Sequence, residues 1–125
     1  RTFDEECDHM LTIYGLKNCD TCRKARKWMD GKDADYRFAD LRADGFTRDD
    51  LRRWVETVGW ETLLNRRGTT WRGLDDNAKN ISDAEAATAL MAKHPALMKR
   101  PIFDFGSSVI VGFAAAQQAE LEQSL

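Results

Sequence analysis

Two cysteines three positions apart, Cys19 and Cys22, are the residues of this chain best suited to chemistry. A thiol acts as a nucleophile only as the thiolate, which is favoured where positive charge and unsatisfied N–H groups gather. The flanking sequence supplies both. Lys17, Arg23, Lys24 and Arg26 surround the pair, with Asp20 acting against them. Cys22, Ala25, Trp28 and Met29 recur at the spacing of one helix face. Leu11 to Tyr14 form a short apolar run with β-branched and aromatic residues, read as a buried strand. Gly15 breaks that strand, and Asn18 suits a turn or cap. The pair therefore stands where a loop becomes a helix, and the helix dipole favours a negative sulfur there. Cys19 precedes the helix and is the candidate nucleophile. Cys22 lies on the apolar face and is the candidate resolving thiol, one helical turn away and close enough for a reversible disulfide. A C-x-x-C pair after a strand is the pattern of redox motifs.

Other chemistries fit less well. A zinc site needs further ligands, and His9, His94 and Cys7 show no ligand spacing, so no metal is expected. Two buried structural cysteines would suit Cys22 but not Cys19. His94, near a helix end with no identifiable partner, reads as structural rather than as a base. Trp28, Trp54, Trp60 and Trp71 read as core aromatics.

The elements that must position the pair follow from the whole chain. Its 125 residues suit one domain, and 42% hydrophobic with 32% charged residues is ordinary for a globular protein. Lys plus Arg is 19 against Asp plus Glu at 21, a net charge of −2, which argues against nucleic acid or anionic membrane as a main partner. No apolar run has the length of a membrane span. The polar, acidic start lacks a signal-peptide pattern, and an odd cysteine count is not a secreted disulfide framework, so a cytoplasmic setting is expected. Residues 1–9 read as a disordered or added extension, leaving 10–125 as a single domain.

The first helix is expected to run to about Asp30 with Gly31 at its C-cap. Tyr36 to Ala39 alternates as a second strand. Thr47 with Asp50 resembles a capping box, followed by Leu51, Trp54, Val55 and Val58 on one helix face, ending at Gly59. Trp60 to Leu64 reads as one more helical turn, and Asn65 to Gly73 as a loop carrying Arg66, Arg67 and Arg72. Ser82 with Glu85 reads as a second capping box, opening a helix to about Lys93 that His94-Pro95 ends. Ile102 to Phe105 and Val109 to Val111 flank Gly106-Ser107-Ser108 as an antiparallel hairpin. Ala114 to Leu125 closes the chain as a helix.

This β-α-β, helical middle and β-β-α order, with C-x-x-C after the first strand, resembles the thioredoxin-like arrangement: an α/β fold with a four-stranded mixed sheet and an inserted helical region. Four ordered segments carry a closer resemblance. They are Tyr14-Gly15-Leu16-Lys17-Asn18-Cys19-Asp20-Thr21-Cys22-Arg23-Lys24-Ala25, Gly59-Trp60-Glu61-Thr62-Leu63-Leu64-Asn65, Arg67-Gly68-Thr69-Thr70-Trp71 and Lys99-Arg100-Pro101-Ile102. Together they resemble the arsenate reductase/Spx (ArsC-like) family on its YffB-like thiol-reductase branch.

The resemblance implies that Cys19 is the nucleophile. It implies that Arg100 stabilises the thiolate beside the active site and binds oxyanion or carboxylate, and that Pro101 is a cis-proline facing the cysteine loop. Lys17 and Arg67 would help hold an anionic substrate. It further implies a glutathione-linked thiol-disulfide reductase with no bound cofactor, acting on a small or protein disulfide. Where arsenate reductases of the family carry a further arginine, this chain has Asn65. A third arginine would fall near Gly112. Arsenate reductases lack the second cysteine, whereas Spx-type regulators have C-x-x-C as a redox switch and contact RNA polymerase. Arsenate reduction and redox regulation are thus the alternatives the resemblance carries.

Overall fold

The computed structural model describes residues 11–124, so the expectations for the first nine residues, including Cys7 and His9, lie outside it. In chain order the elements are β1 Leu11–Gly15, α1 Asp20–Gly31, β2 Tyr36–Asp40, α2 Arg48–Val58 and α3 Trp60–Leu63. Then come α4 Thr69–Arg72, α5 Asp76–Lys79, α6 Ala84–Lys93, a 3₁₀ turn Pro95–Leu97, β3 Ile102–Asp104, β4 Val109–Val111 and α7 Ala115–Ser124. The described residues fall into two compact units, one of residues 11–45 with 100–124 and one of 46–99.

The first unit is a four-stranded mixed sheet in the order β2-β1-β3-β4. β1 pairs in parallel with β2, from Leu11 opposite Tyr36 to Gly15 opposite Asp40. Such a pair needs a crossover, and α1 supplies it. β3 runs antiparallel to both β1 and β4. β1 is thus an inner strand, which is why Leu11, Ile13, Tyr14 and Gly15 are all buried. α1 turns Cys22, Ala25 and Met29 inward, and Ala25 and Met29 join Ile13, Phe103 and Leu121 in one core with no exposed surface. Trp28 meets Phe113 edge-on at 5.6 Å along the core's margin. α1 ends differently from the sequence expectation. Gly31 is its last helical residue, and the left-handed position that follows is Asp33, at φ 57. Asp tolerates that region better than most residues, so a glycine is not required there.

The second unit is helical. Thr47 and Asp50 form the expected capping box, and α2 buries Leu51, Trp54 and Val55 before Gly59 ends it at φ 89. The opening of α6 corrects the sequence expectation. Asp83, not Ser82, is the N-cap, its carboxylate accepting the Ala86 N–H at 2.8 Å. Both residues can cap, but a charged acceptor gains more at a helix N-terminus. The stretch from Asn65 to Gly73 also departs from a plain loop, since α4 occupies its second half. Trp54 is a core residue, whereas Trp60 and Trp71 are only half-buried. Both rings face the Arg66 guanidinium, at 5.4 and 5.9 Å, so they bind a cation rather than fill a core. The Asn65 N–H donates to Leu97 O at 2.7 Å and the Lys99 N–H to Leu63 O at 2.8 Å.

Candidate active site

The first unit gathers Cys19, Cys22, Lys17, Arg100 and Pro101. β1 ends at Gly15, and a tight turn closed by the Cys19 N–H on Leu16 O at 3.1 Å delivers Cys19 to the N-cap of α1. The backbone there is extended, at φ −93 and ψ 123, as an N-cap requires. Three residues on, Cys22 falls on the inward face and is 1% exposed, while Cys19 is half-exposed. A buried thiol and an accessible one are thus separated by a single helical turn.

Gly15 makes the seat of Cys22 possible. A Cβ on Gly15 would stand 2.5 Å from Cys22 Sγ, with Phe38 also near at 3.4 Å. Gly15 therefore does more than break a strand. It remains in the parallel ladder opposite Asp40 and provides the space into which the thiol fits.

The two thiols are driven apart in acidity. Burial acts to raise Cys19, but the Cys22 N–H, the Cys22 thiol and the Arg100 guanidinium all favour its negative charge and hold it below the ordinary cysteine value. The Cys19 side chain makes no cap hydrogen bond, and the Cys22 N–H acts on its sulfur only by favouring the charged form. Cys22 is pushed up to about 12, chiefly by burial, and further by the hydrogen bond and negative charge of Cys19. Arg100 acts in the lowering direction on both sulfurs. The arrangement sets an accessible thiol whose charged form is favoured beside a buried thiol that holds its proton up to about 12.

Arg100 is half-buried, and the Arg100–Pro101 peptide bond is cis. Pro101 is buried, and its carbonyl accepts the Gly112 N–H at 2.8 Å. Gly112 stands at φ 95, a conformation that an arginine would adopt only with strain. Lys17 is exposed and is held by its backbone. Its N–H donates to Asp40 Oδ2 at 3.0 Å, and its carbonyl accepts Arg23 Nη1 at 3.4 Å. Arg23 also pairs with Asp20, which weakens the opposition of that carboxylate to the thiolate.

Arg67 belongs to the second unit. It is exposed, its N–H donates to Asn65 Oδ1 at 3.0 Å, and its carbonyl accepts Arg72 Nη1 at 2.9 Å. The Asn65 amide thus shapes the backbone of this loop. An open concavity of about 330 Å³ is lined here by Glu61, Leu64, Asn65, Arg66, Arg67 and Lys99. Three cations against one carboxylate make it suited to an anion. Among the described residues no group of three or more His, Cys, Asp or Glu is arranged to hold a metal ion.

The sequence profile of the ArsC family matches residues 14–121, which spans both cysteines and Arg100. The chain belongs to the ArsC family. Its fold is the thioredoxin-like α/β fold of that family. The solved YFFB protein superposes with a TM-score of 0.85 at 40% identity, over 93% of this chain and all (100%) of that one. An arsenate reductase (ArsC) related protein from Brucella melitensis is 41% identical with a TM-score of 0.72, over 91% of this chain and 95% of its own. The global transcriptional regulator Spx of Streptococcus mutans is 27% identical over 106 residues, 83% of this chain and 77% of that protein. This ArsC-family chain is therefore similar both to arsenate reductase-like proteins and to regulators.

Sequence reasoning missed Asp40 and the steric role of Gly15. An aspartate at a strand end followed by a polar loop is an Asx-turn signal. Nothing in the sequence shows that its second oxygen crosses to Lys17.

Proposed function

We propose that this ArsC-family protein is a thiol–disulfide reductase of a reducing, cytoplasmic setting, with Cys19 as nucleophile and glutathione as co-substrate. The observation that carries the reading is the placement of the two thiols one helical turn apart, Cys19 accessible at the helix start and Cys22 buried on the inward face, with Cys19 held below the ordinary cysteine value and Cys22 pushed up to about 12. In the first step the Cys19 thiolate attacks one sulfur of a disulfide R–S–S–R′. The S–S bond breaks, R′S⁻ leaves and takes a proton from water, and Cys19–S–S–R remains. Cys22 then gives up its proton and attacks Cys19 sulfur, releasing RS⁻ and forming Cys19–S–S–Cys22. Two glutathione thiols reduce that bond and become glutathione disulfide. In the monothiol variant, glutathione attacks the R sulfur of the mixed disulfide directly and Cys22 serves only as a hydrogen-bond donor. Arg100 holds the thiolate, and Lys17 offers charge to a carboxylate of glutathione.

The test is turnover of a small disulfide such as hydroxyethyl disulfide by glutathione, coupled to glutathione reductase. Cys19→Ser should abolish activity. Cys22→Ser decides between the two resolution routes, and absence of turnover in the unmodified protein overturns the reading. A second reading is a redox-sensing regulator that binds RNA polymerase, with the C-x-x-C pair as its switch. Similarity to Spx supports it. Redox-dependent retention of RNA polymerase on the immobilised protein, without glutathione-dependent turnover, would favour it. Arsenate reduction is supported least, because Asn65 and Gly112 stand where family enzymes carry arginine.

A further inference from the structure

We propose that Asp40 is a positioning residue for the Cys19 thiolate, acting through the loop that leads into α1. The inference rests on reading Cys19 as the working thiol. Asp40 closes β2 and is 6% exposed. A buried carboxylate is costly unless its oxygens are satisfied, and here both are. Oδ1 accepts the Arg42 N–H at 2.8 Å and the Ala43 N–H at 2.9 Å, forming the turn after β2. Oδ2 accepts the Lys17 N–H at 3.0 Å, a bond that spans 23 residues of sequence. One carboxylate thus ties the turn after β2 to the turn after β1. The backbone reinforces the tie, since the Leu41 N–H donates to Gly15 O at 2.8 Å. The N–H groups of Ala43, Lys17 and Arg42 keep the Asp40 carboxyl below the usual carboxylate range, so it remains an acceptor throughout the neutral range.

Lys17 is two residues from Cys19, and only the short turn closed on Leu16 O lies between them. The hydrogen bonds that make Cys19 acidic come from the Cys22 N–H, the Cys22 thiol and Arg100, and each depends on where the sulfur stands. Fixing Lys17 therefore fixes the geometry of the thiolate, although Asp40 does not touch it in this scheme.

Asp40→Asn is the selective test. The amide oxygen can keep the two bonds of Oδ1, whereas its NH₂ would face the Lys17 N–H, donor against donor. The flipped amide would keep one bond and lose two, so the cross-loop bond is the one severed. Charge and position predict opposite signs. Removing a negative charge by itself would make Cys19 more acidic. Loosening the loop should make it less acidic, because donors to the charged form are lost. The expected result is a Cys19 pKa raised by about half to one unit, and iodoacetamide alkylation at pH 6 slowed about three- to tenfold. Thiolate absorbance is read in a Cys22→Ser background, with circular dichroism showing that the variant is folded. An unchanged or lowered Cys19 pKa in the folded variant overturns the inference. If the variant does not fold, amide hydrogen exchange in the unmodified chain decides. A protected Lys17 N–H supports the strap, and one that exchanges at the free-peptide rate overturns it. A Cys19 of ordinary acidity in the unmodified protein would instead sink the functional reading, which keeps the two failures separate.

Discussion

Replacing Gly15 by alanine isolates the contact that seats Cys22. The new Cβ would stand 2.5 Å from Cys22 Sγ, while its distances of 3.4 Å to Cys22 Cβ and Phe38 Cε1 are ordinary van der Waals contact. The conflict is therefore confined to one sulfur, which must retreat by roughly 1 Å in a packed site, and overpacking of this kind costs about 1–3 kcal/mol. Gly15 does not have a positive φ, so alanine meets no backbone objection there. Against an otherwise compatible backbone, Gly→Ala stabilises by about 0.4–1 kcal/mol, because it restricts the unfolded chain. The sign of the effect should consequently depend on Cys22. Gly15→Ala alone should destabilise by about 1–3 kcal/mol. In a Cys22→Ala background, where the sulfur is absent, the same change should be neutral or stabilising. Urea denaturation under reducing conditions across the four-member cycle measures the coupling, expected at about 1 kcal/mol or more. Additivity of the two changes would refute the steric argument. A second readout is independent of stability. A displaced Cys22 thiol no longer donates well to Cys19, so the Cys19 pKa should rise in Gly15→Ala.

Two further outcomes follow from the same site. Arg100→Ala should raise the Cys19 pKa by about a unit or more, the scale for losing a close opposite charge, and Arg100→Lys should recover only part because lysine lacks the planar fork. Absorbance near about 240 nm against pH in a Cys22→Ser background measures the thiolate, and an unchanged curve would remove Arg100 from the site. Alkaline pH should destabilise the fold through Cys22. The unfolded thiol ionises near 9 while the folded one keeps its proton until about 12. Between those values the native state binds more protons, so stability is full below 9 and falls as pH rises through the window. Cys22→Ser should flatten that slope in denaturation curves taken across the range; an equal slope in both proteins would show that Cys22 is not its source.

Elements whose signal is local were legible in the sequence. β1 and α1 change hydrophobic period within a few residues, and Thr47 with Asp50 carries both halves of a capping box. α4 and α5 were not legible, because four residues are too few to establish a period and, unlike α3, neither directly follows a helix already read. Ser82 and Asp83 both suit an N-cap, and only the observed bond to Ala86 decides between them. Trp60 and Trp71 resembled core residues by type alone, and their partner Arg66 shows otherwise. At the site, Cys19 and Cys22 could be read from position on a helix. The roles of Gly15 and Asp40 could not, because each depends on tertiary approach: a sulfur against a missing Cβ, and a carboxylate reaching 23 residues back.

The opposed acidities of the thiols are two views of one interaction, and this bears on how Cys22 becomes reactive. The contact that lowers Cys19 is the contact that raises Cys22, since the Cys22 thiol donates to Cys19 sulfur and feels its charge. Once Cys19 enters a mixed disulfide, that charge is gone, and with it two of the causes that hold the Cys22 proton. Burial, the largest, remains, so Cys22 does not become a general nucleophile. Arg100 also remains. Having favoured the Cys19 thiolate before attack, it now favours ionisation of Cys22 alone. One guanidinium can therefore serve both sulfurs in turn, provided Gly15 leaves Cys22 where Arg100 can act on it. Gly15→Ala should on this account slow the resolving step more than the attacking step, separating the space that seats a thiol from the charge that activates it.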